Sequence, residues 1–75
     1  MDLVRFGQHV RLAREARGLT QAELAARLGK SVSFVGMMEQ GRRAASMDTL
    51  VELCKVLACP PSQLLAADLF ARVEA

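Results

Sequence analysis

Few side chains in this 75-residue sequence have the type and spacing for covalent or metal chemistry. Cys54 and Cys59 are the only cysteines, and their separation fits neither a Cys-x-x-Cys redox pair nor a four-ligand zinc site. Both read as small interior residues, because an oxidant-sensing thiol needs exposure and a lowered pKa. His9 is the single histidine, with no second His and no nearby Cys to share a metal or form a nucleophile–base pair, so it reads as a surface-helix residue. No carboxylate dyad and no phosphate-cradling glycine loop stands out, so neither an enzyme nor a cofactor or metal is expected. The stronger signal is electrostatic. Residues 1–43 carry eight Lys or Arg against four acids, net +4, while residues 44–75 carry two against four, net −2, so the overall +2 is unevenly placed. That asymmetry points to an anionic partner for the first half. On charge alone, a scattered solvated surface is the competing reading.

The elements that must position these charges follow from composition and caps. A chain of this length makes one domain, and 52% hydrophobic with 24% charged residues describes a folded globule. Aromatic content is 4%, all Phe, and Ala and Leu outweigh the β-branched residues, which favours helices and no sheet. No apolar run approaches the roughly 20 residues of a membrane span. The start, Met1-Asp2-Leu3-Val4-Arg5-Phe6, has no export pattern, so a cytoplasmic protein is expected.

A first helix is predicted over 3–17, burying Phe6, Val10, Ala13 and the stem of Arg17, with Gly18 ending it and Leu19 anchoring the turn. Thr20-Gln21-Ala22-Glu23 reads as a capping box opening a helix over 21–28, with Leu24, Ala25 and Leu28 inward and Gly29 as its stop. Ser31 caps a third helix over 32–40, with Val35 and Met38 inward and Gly41 at its end. Two short helices across a turn of about four residues containing Gly make a helix-turn-helix. Ser46, helped by Asp48, caps a fourth helix whose Met47, Leu50, Leu53, Cys54 and Leu57 repeat with helical period up to Pro60. Pro61 opens a fifth helix, apolar on more than one face through Leu64, Leu65, Leu69, Phe70 and Val73.

Taken in order, Phe6-Gly7, Arg14, Arg17-Gly18-Leu19-Thr20-Gln21, Glu23-Leu24-Ala25, Leu28-Gly29, Ser31, Val35, Glu39, Gly41, Leu50, Leu57 and Leu64-Leu65 resemble the lambda-repressor-like, or xenobiotic-response-element type, helix-turn-helix domains. The resemblance runs from about residue 3 to residue 65 and rests on joint order and spacing. It implies an all-α, compact five-helix bundle over 1–75, a single domain in which the third helix enters the major groove of DNA. It also implies a DNA-backbone set of Thr20, Gln21, Gln40, Arg42 and Arg43, which Lys30, just before the third helix, joins by position with a phosphate or base contact, and a structural ion pair between Arg14 and Glu39. Small controller proteins of restriction-modification systems, members of this family, are similar in length, which makes a controller one candidate beside a phage repressor or an antitoxin-like regulator.

By position, base reading falls to Val32, Ser33, Gly36 and Met37, with Phe34 beside them. Here the sequence departs from the family, whose members often hold Gln, Arg, Asn or Thr at such positions. Val32 can touch a thymine methyl and Ser33 can bond either way, but no bidentate contact to a purine is available. Gly36 costs its helix about 1 kcal/mol relative to Ala, which fits close approach to DNA or tight packing against something else.

The reading is therefore a sequence-specific transcriptional regulator that binds double-stranded DNA, bacterial or phage-encoded and nucleoid-associated. A homodimer is expected, with residues 60–75 supplying a C-terminal helix whose Leu65, Leu69, Phe70 and Val73 meet a second copy. Folding of those residues onto their own domain is the other possibility. The alternative function is a protein-interaction module that uses Val32, Phe34 and Met37 as an exposed apolar patch.

Overall fold

The computed structural model describes residues 2–65 of the chain. Among them run five helices and no strand: α1 (Leu3–Ala16), α2 (Gln21–Leu28), α3 (Val32–Glu39), α4 (Met47–Leu57) and α5 (Pro61–Leu65). The all-helical class and the helix order are as expected from the sequence. None of these helices is long and apolar enough to cross a membrane.

Each helix begins where a side chain takes up amides that have no partner within the helix. The Asp2 carboxylate accepts from the Val4 and Arg5 amides at 3.0 and 3.2 Å, opening α1. Phe6, Val10 and Ala13 then repeat along the buried face of α1, and Arg14 joins them. Arg17, placed on that face by periodicity, is instead exposed. The reason is local: α1 stops at Ala16, and the Arg17 amide closes the helix against the carbonyls of Ala13 and Arg14 at 3.2 and 3.1 Å.

Ser46 opens α4 by accepting from the Thr49 amide at 3.2 Å, and its own hydroxyl donates to Thr49 Oγ1 at 3.1 Å. Thr49, Leu53 and Leu57 form the buried face, while Met47 is exposed and Leu50 and Cys54 are half-buried. The expected Leu53 and Leu57 are thus buried and Leu50 and Cys54 pack against the core; only Met47 departs from the expectation, and Thr49 joins the buried face. The helix also ends at Leu57, short of Pro60, because Ala58 takes a left-handed conformation (φ +53). Pro60 disfavours helical geometry at Cys59, so the chain turns before reaching it. Cys54 and Cys59 are half-buried free thiols whose pKa values burial raises, the nearby Cys54 adding to the effect at Cys59.

The helices share one core, in which Phe6, Val10, Leu24, Val35, Met38, Leu53 and Leu64 are almost fully buried. In it α3 packs on both α1 and α2, α2 also meets α4, and α5 closes on α1 and α4. Gly7 allows the approach of α1 to α3: a Cβ there would lie 2.5 Å from the Glu39 carbonyl oxygen and would also collide with the Met38 carbonyl. His9 is half-buried and not the free surface residue expected, for its Nδ1–H donates to the Leu64 carbonyl at 3.0 Å and ties α1 to α5. Leu65, proposed from sequence for a dimer contact, is 38% exposed. Leu69, Phe70 and Val73 lie outside the described residues.

Candidate nucleic-acid interface

The turn between α2 and α3 is made by Gly29, Lys30 and Ser31. Gly29 is left-handed (φ +66), which lets the Lys30 amide turn back to the Ala25 carbonyl at 2.9 Å. Ser31 Oγ then accepts from the Phe34 amide at 3.0 Å and starts α3. At the front of α2 the capping box is closed in both directions: Thr20 Oγ1 accepts from the Glu23 amide at 3.0 Å, and the Thr20 amide donates to Glu23 at 2.9 Å. The donation from the Thr20 amide holds the Glu23 carboxyl below its usual range, with the Thr20 hydroxyl adding to the effect. Both ends of the turn are therefore fixed by the chain's own hydrogen bonds.

Behind the turn lies a buried polar network. Arg14 Nε donates to Glu39 Oε2 at 2.6 Å and Arg14 Nη2 to Glu39 Oε1 at 3.1 Å, with 10% and 3% of the two side chains exposed. The third direction of the guanidinium is used by Nη1, which donates to the Leu19 carbonyl at 2.8 Å. The hydrogen bonds to Glu39 raise the Arg14 pKa further, against the opposing effect of burial. Gln21 Nε2 also donates to Glu39 Oε1, at 3.1 Å. Gln21, assigned from sequence to phosphate contact, is thereby steered by a carboxylate that also anchors α1 to α3. Among the described residues no buried side-chain nitrogen or oxygen lacks a hydrogen-bond partner.

The cations divide by location. Arg5, Arg11 and Lys55 each have a carboxylate three or four residues away in sequence, at 3.6, 3.5 and 3.5 Å, and Arg14 has Glu39. Besides Arg17 at the end of α1 and Arg27 on α2, Lys30, Arg42 and Arg43 have no ion pair among the described residues. Lys30 precedes α3, while the other two follow it, past Gln40 at its C-cap and a left-handed Gly41 (φ +76). Gly41 is tightly held, since a Cβ there would sit 2.6 Å from Val4 Cα. The Arg42 amide returns to the Met37 carbonyl at 2.9 Å, which fixes where the arginine pair leaves the helix.

On α3 itself Val32 is 48% exposed and Ser33 is exposed, while Gly36 and Met37 are half-buried. A Cβ on Gly36 would meet nothing nearer than Gln21 Nε2 at 4.0 Å, so packing among the described residues does not require glycine there. Phe34 departs from the expected exposed patch: it is half-buried against the core, with Lys30 Nζ 5.5 Å and Arg43 Cζ 5.2 Å from its ring centroid. Sequence reasoning set Phe34 beside the reading face but missed this role. The four-residue spacing from Lys30 was a usable signal. The approach of Arg43 was not, because it depends on the turn at Gly41.

An all-helical bundle with two capped helices set across a glycine turn defines a helix-turn-helix domain. The chain belongs to the Helix-turn-helix family HTH_3, which matches residues 10–64. It is 42% identical over 58 residues to the uncharacterized HTH-type transcriptional regulator y4dJ of Sinorhizobium fredii, covering 76% of this chain and 75% of that protein. The structure is similar to that of the restriction-modification controller protein C.AhdI from Aeromonas hydrophila, with TM-score 0.80 and 41% identity, covering 85% of this chain and 97% of that one. It is also similar to the clp gene regulator ClgR from Corynebacterium glutamicum, with TM-score 0.82 and 26% identity over 88% of this chain and 85% of that one. The family is one of transcriptional regulators and not of enzymes, and its likeness to a restriction-modification controller agrees with the sequence reading.

Proposed function

We propose that the protein is a sequence-specific regulator of transcription that lays α3 in the major groove of duplex DNA and acts as a homodimer. The observation that carries this reading is the placement of Lys30, Arg42 and Arg43 at the two ends of α3 without carboxylate partners among the described residues. Cations without carboxylate partners beside α3, whose Val32 and Ser33 are exposed, suit the phosphate backbone along a groove. Thr20, Gln21 and Gln40 supply neutral donors along the same surface. Gln21, held by Glu39 at the start of α2, lies where free helix amides also favour an anion.

Base reading falls to Val32, Ser33, Gly36 and Met37. This face offers apolar contact to thymine methyls and one hydroxyl, so shape and DNA deformability carry much of the specificity. Glycine at position 36 lets the backbone of α3 come close to the base edges. A homodimer follows from operator geometry, because one such domain covers a half-site and two-fold proteins read two half-sites about one helical turn apart. Leu65, Leu69, Phe70 and Val73 are the residues we assign to the contact, and the bacterial or phage cytoplasm, at the nucleoid, is the setting.

Salt dependence tests the reading. Each phosphate contact contributes about −0.9 to the slope of log affinity against log salt. Binding to duplex DNA followed by fluorescence anisotropy should weaken steeply with salt, and Arg42→Ala with Arg43→Ala should weaken binding and flatten the slope. A wild-type affinity that is independent of salt, or a slope unchanged in the double variant, would overturn the assignment.

A further inference from the structure

We infer that Phe34 is a positioning residue whose ring gathers Lys30 and Arg43 into one cationic clamp on the phosphodiester backbone of duplex DNA. The inference rests on the DNA-binding reading and adds to it a residue that touches no phosphate. Lys30 comes from the turn before α3 and Arg43 from the loop after it, yet both charges lie within 5.5 Å of one ring centroid. That is within the roughly 6 Å over which an aromatic quadrupole attracts a cation.

The ring is a fixed platform. Its amide is bonded to Ser31 Oγ at 3.0 Å, and its side chain is half-buried against the core. Lysine and arginine side chains are otherwise among the most costly to order. Resting on Phe34, they lose much of that freedom before any ligand arrives, which favours binding.

Electrostatics says which ligand. By their distances to a shared centroid, the two charges stand within about 11 Å of each other. Neither has a carboxylate partner among the described residues to offset the mutual repulsion. An anion with more than one charged oxygen relieves that repulsion, and the guanidinium fork suits phosphate oxygens bidentately while the ammonium adds a compact point charge. A DNA strand carries one charge per roughly 3.4 Å of helix axis, so neighbouring phosphates fall within the reach of the clamp. The same placement covers the ring face with charge, which makes Phe34 a poor apolar anchor for a protein partner.

The test uses the full chain and a mixed-sequence duplex of about 20 base pairs at low salt, where phosphate contacts supply the binding. Phe34→Leu should weaken binding about three- to tenfold in a protein that stays folded with a slightly lower melting temperature, whereas Phe34→Tyr, which keeps the ring, should stay within about twofold. In a Lys30→Ala plus Arg43→Ala background Phe34→Leu should cost nothing further. Proton NMR of the free wild-type protein should show the Lys30 ε and Arg43 δ protons displaced upfield by the ring current, and this reading needs no substitution at position 34. Unshifted protons, or a Phe34→Leu loss that persists undiminished in the double-alanine background, would overturn the clamp while leaving DNA binding intact. A wild type that binds no duplex at low salt would overturn the DNA reading itself, and the clamp with it.

Discussion

Glu39 shows how much one side chain can hold together in a small core. Its carboxylate accepts from Arg14 of α1 through two nitrogens and from Gln21 of α2, joining three helices at one buried point. Removing one partner of a buried pair strands the other charge, at a cost on the order of 3 to 5 kcal/mol. Thermal unfolding of Glu39→Ala should therefore show a fall in melting temperature of more than about 10 °C, given some 4–8 °C per kcal/mol in a domain of this size. A melting temperature within about a degree or two of wild type would reject the load assigned to the pair. The resemblance drawn from sequence implied the Arg14–Glu39 pairing, since both residues fall at family positions. That Gln21 would join them was not legible, because a shared carboxylate oxygen is a property of packing and not of spacing. His9 was misplaced for the same reason: the sequence has no signal for the Leu64 carbonyl that meets it across the bundle.

At the scale of elements, the starts were more legible than the stops. Asp2 apart, each polar cap was visible as a Ser or Thr before an apolar repeat, and Thr20, Ser31 and Ser46 all accept the expected amides. The end of α4 was not, because Ala58 adopts a left-handed conformation that sequence rules reserve for glycine. Only the start of α4's repeat was misjudged: Met47 is exposed, whereas Thr49, whose hydroxyl accepts from Ser46, faces inward with the expected Leu53 and Leu57. Gly36 carries the sharpest consequence at this scale. A Cβ there finds open space beyond Gln21 at 4.0 Å, so Gly36→Ala should stabilise the free protein by up to about 1 kcal/mol through helix propensity. The same change should weaken duplex binding, because the added methyl stands on the face assigned to the bases. Denaturant unfolding and DNA titration of one sample check both signs, and tighter or unchanged DNA binding would remove Gly36 from the reading face.

For the molecule as a whole, the division of charge is the feature most visible in the sequence and most clarified by the fold. The net +4 of residues 1–43 gave a sign and no location. In the structure Arg5, Arg11, Arg14 and Lys55 are paired with acids, while Lys30, Arg42 and Arg43 at the ends of α3, like Arg17 at the end of α1 and Arg27 on α2, have no ion pair among the described residues. The apolar residues assigned to a second copy extend beyond the described residues, so the proposed homodimer rests on the half-site geometry general to helix-turn-helix proteins and on the sequence pattern of 60–75. Selection of bound sequences from a random duplex pool at two salt concentrations tests both parts of the account together. The expected result is a near-palindrome with half-sites about one helical turn apart, recovered by wild type and changed at a few base positions by substitutions at Val32 and Ser33. Failure to enrich any sequence, with only weak binding at low salt, would contradict sequence-specific reading by α3.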